Sequence, residues 1–166
     1  MNKNLVLETV TIVCKEENNK LLWFLVKTLE NSNWEFPHVL VRKGESSVRA
    51  ALRIISQQAN INAKVLEEVG RLDTFTNLNG KTIPKKVIYY LLLAKHVGKE
   101  AVGFFESSWC DYAKALKKLN NKNDLSMLKN ARDTFKVWKK QNANYNFDEE
   151  EEFPKDEIEE EFQEEI

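Results

Sequence analysis

What most constrains the fold of this chain is the order in which two hydrophobic periods follow each other. Residues 5–14 are rich in β-formers, with Val6, Thr9 and Thr11 set among Leu5, Leu7, Val10, Ile12 and Val13. Residues 21–28 form a second apolar run after the turn-like Glu16-Glu17-Asn18-Asn19, so the pair predicts a hairpin. A loop at Asn31-Ser32-Asn33 and a short extended piece, Trp34-Glu35-Phe36-Pro37, come next. The period then changes: Val48, Ala51, Leu52 and Ile55 fall at helical spacing within residues 46–58, which begin at Ser46 or Ser47. Residues 65–75 and 85–94 return to strand patterning around the turn chemistry of Asn77-Leu78-Asn79-Gly80, which predicts an antiparallel pair.

From Trp109 the pattern is helical again, first around Ala113, Leu116 and Leu119. A second helix follows over residues 124–140, with Leu125, Leu128, Ala131, Phe135 and Trp138 on its apolar side and Asn123 or Asp124 as its cap. The order ββ-α-ββ-αα predicts the α/β class, an α/β/α sandwich with helices on both sides of a mixed sheet. One domain over residues 1–140 accounts for it, and a chain of 166 residues buries about two thirds of its unfolded surface.

Residues 141–166 are of a different kind. Twelve acids and one base, Lys155, lie between residues 147 and 166, which leaves 24 bases and 14 acids in residues 1–146. The overall net charge of −1 therefore hides a basic body and an acidic tail, and the tail has too little apolar side chain to offset the entropy of ordering it. Disorder is expected there. A basic body attracts polyanions, and Lys114, Lys117, Lys118, Lys122, Lys129, Arg132, Lys136, Lys139 and Lys140 crowd the last two helices. An RNA or ribonucleoprotein contact and a plain solvated face are the two readings of those side chains.

The longest apolar runs, such as residues 87–94, stop far short of the roughly 20 residues of a membrane helix, so no membrane association is expected. Met1-Asn2-Lys3-Asn4 leads straight into a strand pattern, so no targeting segment is expected either. Cys14 and Cys110 stand apart from each other and from His38 and His96, with no CxxC spacing. A zinc site is not expected, and a reducing, cytoplasmic setting is.

One series of residues carries chemistry. Trp34-Glu35-Phe36-Pro37, then Gly44-Glu45, then Ala50-Ala51-Leu52-Arg53 resembles the entrance to a Nudix box, G-x5-E-x7-R-E-U-x-E-E-x-G-U with U apolar. With the box glutamate at Glu45 the arginine falls on Arg53, and the apolar positions fall on Ile55 and Ile61. Lys85-Lys86-Val87-Ile88-Tyr89-Tyr90-Leu91 resembles a strand of the diadenosine tetraphosphate hydrolase branch, and the last two helices resemble its closing pair. The resemblance runs over residues 4–138 and implies a Nudix fold.

The same register exposes departures. The first box glycine falls on Val39, the glutamate after the arginine on Ile54, the paired glutamates on Gln57 and Gln58, and the last glycine on Asn60. The resemblance implies Mg2+ or Mn2+ held on those carboxylates to activate water against a pyrophosphate. Hard cations prefer anionic oxygen, and only Glu45 remains. No catalytic residue and no cofactor is therefore expected, and the resemblance implies a degenerate relative that binds a nucleoside polyphosphate or RNA in regulation or scaffolding. Two alternatives stay open: a metal-dependent hydrolase of dinucleoside polyphosphates that recruits Glu100 or Glu106, and a structural ribonucleoprotein component. By resemblance Tyr89 is a base-stacking ring and Lys85 a phosphate contact, each also readable as an ordinary strand residue. His38 lies on the substrate loop. Arg53 and Glu45 are read either as a structural ion pair or as remnants of the site. The oligomeric state is not assigned.

Opposite charge blocks on one chain compete at high effective concentration. Deleting residues 147–166 is expected to tighten nonspecific RNA binding at low salt and to steepen its salt dependence. Filter binding across a salt series checks this, and unchanged affinity would show that the tail does not compete.

Overall fold

The computed structural model describes residues 5–143, so the acidic tail, with the disorder expected of it, lies outside the described residues. The chain divides into two units, Met1–Phe135 and Lys136–Ile166. The first holds every strand; the described part of the second is the end of the last helix and the two residues after it.

β1 (Val6–Glu17) and β2 (Lys20–Lys27) form the expected hairpin, pairing antiparallel from Cys14↔Trp23 to Glu17↔Lys20. Asn18 and Asn19 take φ of 51° and 64°, as the two central residues of a type I′ turn must, and asparagine tolerates that region better than other residues with a side chain. The second hairpin repeats the device. β4 (Ile61–Leu78) and β5 (Lys81–Val97) are joined by Asn79 and Gly80 at φ of 53° and 79°. β1 runs parallel to β5 from Val6↔Lys85 to Cys14↔Leu93. The sheet order is β4-β5-β1-β2-β6, with the short β3 (His38–Leu40) also paired to β1. The mixed sheet is as expected.

β1 is thus shared along one edge. Its beginning pairs with β3, Glu8↔Leu40 to Val10↔His38, and its end pairs with β2. Between them the chain makes a bridge, Val26↔Glu35, and Pro37 presents its carbonyl to both the backbone N–H and the hydroxyl of Thr11, each at 2.9 Å. A proline has no N–H to offer a ladder, so its carbonyl is all it contributes here.

α1 (Ser47–Ala59) covers one face. Ser46 caps it by accepting from Arg49 N, and Asn60 ends it in the left-handed region at φ 56°. That is the position where the Nudix pattern has glycine, and asparagine serves the same backbone need. Ala51, Ile54, Ile55 and Ala59 pack on Ile88, Tyr90, Leu92 and Ala94 of β5. Side chains alternate along a strand, so Val87, Tyr89 and Leu91 point to the opposite face. There Gly70 of β4, directly across from Tyr89, lies against the Met127 side chain of α3 (Lys122–Gln141), and Asn130 donates to Val69 O. α2 (Tyr112–Lys118), capped by Asp111, packs against β2 and β6. No helix of the described residues is long and apolar enough to cross a membrane.

Two local expectations are corrected. Trp109 does not open a helix: Glu106–Cys110 is the edge strand β6, antiparallel to β2 from Trp23↔Cys110 to Lys27↔Glu106. The cap of α3 is neither Asn123 nor Asp124. Asn121 Oδ1 accepts from both of their backbone N–H groups, at 2.8 and 3.2 Å.

The loop between β5 and β6 is tied to the end of α1. Gly98 N donates to Asn60 O and Gly103 N to Gln58 O, each at 2.9 Å, and Phe104 packs against the α1-side core. A Cβ at Gly103 would collide with the backbone and Cβ of Gln58. Gly103→Ala is expected to cost about 1–3 kcal/mol in urea unfolding, and a change within error of zero would show that this loop is not packed as described.

Candidate functional site

Three acids from three elements lie within electrostatic reach of one another. Glu8 sits on β1, Glu35 on the bridge before β3, and Asp124 in the first turn of α3. His38 stands between two of them, Nδ1 at 3.6 Å from Glu8 Oε1 and Nε2 at 3.3 Å from Glu35 Oε1. Lys85 of β5 closes the group, with Nζ at 2.7 Å from Glu8 Oε2. The parallel β1–β5 register, Val6↔Lys85 and Glu8↔Val87, is what brings that lysine within reach. His38 and Lys85 therefore both contact Glu8. Each is already engaged by a carboxylate, so a phosphate would have to compete with Glu8 for Lys85.

Burial and charge act on these groups in different directions. The hydrogen bond to Glu35 raises the His38 pKa above its ordinary value, against the desolvation that lowers it, with the Glu35 and Glu8 charges adding to the rise and Lys85 opposing it. Asp124 is only 9 % exposed. Desolvation, with the Glu35 and Glu8 carboxylates behind it, pushes its pKa up to about 6, and His38 acts the other way.

Beside this cluster lies a cleft of about 240 Å3 lined by Asn33, Trp34, Glu35, Asn120, Asn121 and Asp124. Asn120 Nδ2 donates to Asn33 Oδ1 at 3.3 Å, which draws the two loops together. The Trp34 ring has Lys118 Nζ 4.1 Å and Lys27 Nζ 5.3 Å from its centroid, both at cation–π distance.

Tyr89 is 4 % exposed and lies on the α3 side of the sheet, with its pKa raised by desolvation and by the Asp124 and Glu8 charges. The ring is a core side chain in this arrangement and offers no open face for a base. The partly buried aromatic ring that does line a cleft is Trp34.

The box residues lie on and before α1. Arg53 grips Glu45 through two parallel bonds, Nε to Oε2 at 2.8 Å and Nη2 to Oε1 at 3.0 Å, and also donates to Leu40 O at 3.2 Å. Arg42 N donates to Glu45 Oε1 at 3.1 Å. The Arg53 guanidinium first, then the Arg42 N–H, hold the Glu45 carboxyl down at about 2. Of the two readings of this pair, the geometry is that of a structural clamp across the box loop. Ile54 is buried in the apolar core under α1, while Gln57 and Gln58 are exposed. Glu100 is exposed on the β5–β6 loop and Glu106 is exposed at the start of β6.

Sequence reasoning placed His38 and Lys85 here but missed Glu8, Glu35 and Asp124. Glu8 is an acid set in the apolar first part of β1, and that irregularity was the signal the sequence offered.

A mixed sheet with α1 on one face and α3 on the other, and a box loop closed by a glutamate–arginine clamp, define a Nudix-type α/β/α domain. The chain belongs to the Nudix family: the NUDIX domain model matches residues 7–131. Among solved structures it is similar to an Ap4A hydrolase of C. elegans, at 22 % identity and a TM-score of 0.60, over 81 % of this chain and 98 % of that one. It is similar to the NUDIX domain of Shewanella oneidensis NrtR, solved with ADP ribose, at 14 % identity and a TM-score of 0.62, over 80 % and 90 % of the two chains. It is also similar to the dihydroneopterin triphosphate pyrophosphohydrolase of E. coli, at 11 % identity and a TM-score of 0.57, over 74 % and 91 %. At these identities the likeness is one of fold. A search of curated proteins found no match.

The residues of this chain do not fit the family's divalent metal. α1 contains no acid from Ser47 to Ala59, Ile54 has no ligand atom, Gln57 and Gln58 offer neutral oxygens, and both oxygens of Glu45 are taken. Among the described residues no three His, Cys, Asp or Glu side chains converge to hold a metal ion. Glu45, Glu100 and Glu106 therefore do not form such a set.

The cluster sets a pH dependence of stability. Asp124 titrates near its model value of 3.8 when unfolded and at about 6 when folded, so the folded state binds more protons between those values. Its favourable contribution is present below pH 3.8 and is lost as pH rises through about 6. The raised His38 pKa has the same sign: its contribution is present below 6.5 and is lost as pH rises through the higher folded value. Asp124→Asn is expected to stabilise the fold by on the order of 2 kcal/mol at pH 7.5 and to change little at pH 3.5. Thermal melts at the two pH values check this, and an equal effect at both would contradict the burial of an ionised Asp124.

Proposed function

We propose that this Nudix domain binds a nucleotide and does not cleave it, acting as a regulatory or scaffolding module. The observation that carries the reading is the acid-free α1: between Ser47 and Ala59 no side chain supplies an anionic oxygen, and Ile54 turns one box position into core. Metal-assisted phosphoryl chemistry needs anionic ligands that fix the ion against the pyrophosphate. Neutral amides at Gln57 and Gln58 do not provide that, and freeing Glu45 would leave Arg53 without its partner.

Binding remains supported. The cleft at Trp34 and Asp124 combines an aromatic ring with amide and carboxyl groups, and Lys27 and Lys118 lie over that ring. That combination suits a base carrying phosphate. The NUDIX domain of Shewanella oneidensis NrtR, similar in fold, was solved with ADP ribose, and that supports the reading.

Purified protein with Mg2+ or Mn2+ is expected to release no product from diadenosine tetraphosphate, nucleoside triphosphates or capped RNA above a protein-free control. In EDTA, at least one nucleotide of a panel is expected to raise its melting temperature, as any ligand selective for the folded state does. Metal-dependent turnover that co-purifies with the protein and is lost in Glu45→Gln would overturn the reading in favour of a hydrolase.

A further inference from the structure

The cleft and the charged group beside it share two side chains. Glu35 and Asp124 line the cleft, and both belong to the set that also holds Glu8, His38 and Lys85. Separate elements supply the set: Glu8 comes from β1, Glu35 from the bridge before β3, His38 from β3, Lys85 from β5 and Asp124 from α3. Tyr89 of β5 is close enough to feel the Asp124 and Glu8 charges, and desolvation raises its pKa, so the phenol stays neutral. Five groups therefore set the charge on this wall of the cleft.

Their pairing is unequal. Lys85 is committed to Glu8, with Nζ 2.7 Å from Oε2. Glu35 has no lysine or arginine at ion-pair distance among the described residues; its cation is His38, 3.3 Å away, and only while that imidazole is protonated. Three carboxylates against one lysine and a neutral imidazole leave two negative charges. A proton on His38 leaves one, and a further proton on Asp124 leaves none. The hydrogen bond to Glu35 raises the His38 pKa, and desolvation, with the Glu35 charge behind it, pushes that of Asp124 up to about 6. The wall thus changes charge near neutrality and not in strong acid.

We propose that the cleft takes up its anionic ligand together with protons on His38 and Asp124, so that nucleotide binding is gated by pH and strengthens as the solution becomes acidic. The inference rests on the nucleotide-binding reading above and adds the regulation of that site.

The reason is linkage. A ligand carrying phosphates interacts better with a neutral wall than with a doubly negative one, and a ligand that prefers the protonated state raises its proton affinity in return. Lys27 and Lys118, over the Trp34 ring, attract the same phosphates. The carboxylates oppose them, and protonation removes that opposition. Glu8 is 14 % exposed and Asp124 9 %, so salt screens their charges less than it screens those of surface groups.

The test uses ADP ribose, whose two phosphates each keep one ionised oxygen and no second proton between pH 5.5 and 8.5, so that every proton exchanged belongs to the protein. Isothermal titration of the full chain in EDTA at constant ionic strength, in two buffers of different ionisation enthalpy, reads affinity and proton uptake together. Affinity is expected to be about tenfold higher at pH 5.5 than at pH 8.5, with net proton uptake at pH 7. Asp124→Asn should tighten binding at pH 8.5 and flatten part of the profile, and adding His38→Gln should abolish the uptake. Saturating ADP ribose should also raise the pKa of His38 in an NMR titration of the unmodified protein, a readout that a merely structural role would not move. Affinity independent of pH, uptake that survives in the double variant, or an unshifted His38 would overturn the proton linkage and leave nucleotide binding standing. Absence of ADP ribose binding at every pH would overturn the linkage as well, and the melting panel above then decides separately on the nucleotide reading.

Discussion

The site depends on how β1 is shared. Along one side β1 is paired with β5 from Val6 to Cys14; along the other it is divided between β3 and β2, with Pro37 held at the division by Thr11. Because β5 runs parallel in that register, Lys85 reaches Glu8, and because β3 begins at His38, that imidazole stands between Glu8 and Glu35. The bridge Val26↔Glu35 and the parallel bridge Trp34↔Leu119 then bring the loops of Asn33 and Asn120 face to face. A continuous β1–β2 ladder would have closed the space the cleft occupies.

α1 and the loop before it keep one half of a Nudix box, the Glu45–Arg53 clamp and the helix end, and lack the other half, the glutamates in whose places stand Ile54, Gln57 and Gln58. Arg53 and Glu45 still close the box loop, and Asn60 still ends the helix in the left-handed region. Ile54 contributes to the core instead of binding an ion. The two halves are separable because the clamp needs only one glutamate and one arginine, whereas metal binding needs several carboxylates on one helix face. His38, Lys85 and the acids Glu8, Glu35 and Asp124 form a separate charged group.

Much of this was legible in the sequence because it is local. Strand runs, the helical period of α1, and the Asn18-Asn19 and Asn79-Gly80 turns are each visible within a few residues, and the box register located Glu45 just before α1 and Arg53, Ile54, Gln57 and Gln58 on it. β6 was not legible: Glu106-Ser107-Ser108-Trp109-Cys110 is short and half polar, and it is a strand because β2 offers it an edge. The cap of α3 was ambiguous because Asn120, Asn121, Asn123 and Asp124 all carry a capping oxygen, and only tertiary placement frees Asn121 for the task. Glu8, Glu35 and Asp124 lie on three elements far apart in the chain, so no spacing could reveal that they meet. Tyr89 looked like a ligand contact from its place in a motif, yet the face it occupies is decided by the pairing Tyr89↔Gly70 and by the helix laid over it.

The central claim is that α1 supplies no metal site while the fold is kept. The most direct measurement is a Mn2+ titration followed by electron paramagnetic resonance, on the protein alone and with a saturating non-hydrolysable nucleotide. The account predicts that free Mn2+ signal falls only by the amount the nucleotide itself chelates. Saturable, stoichiometric loss of signal on the protein alone, abolished by Glu45→Gln, would contradict it.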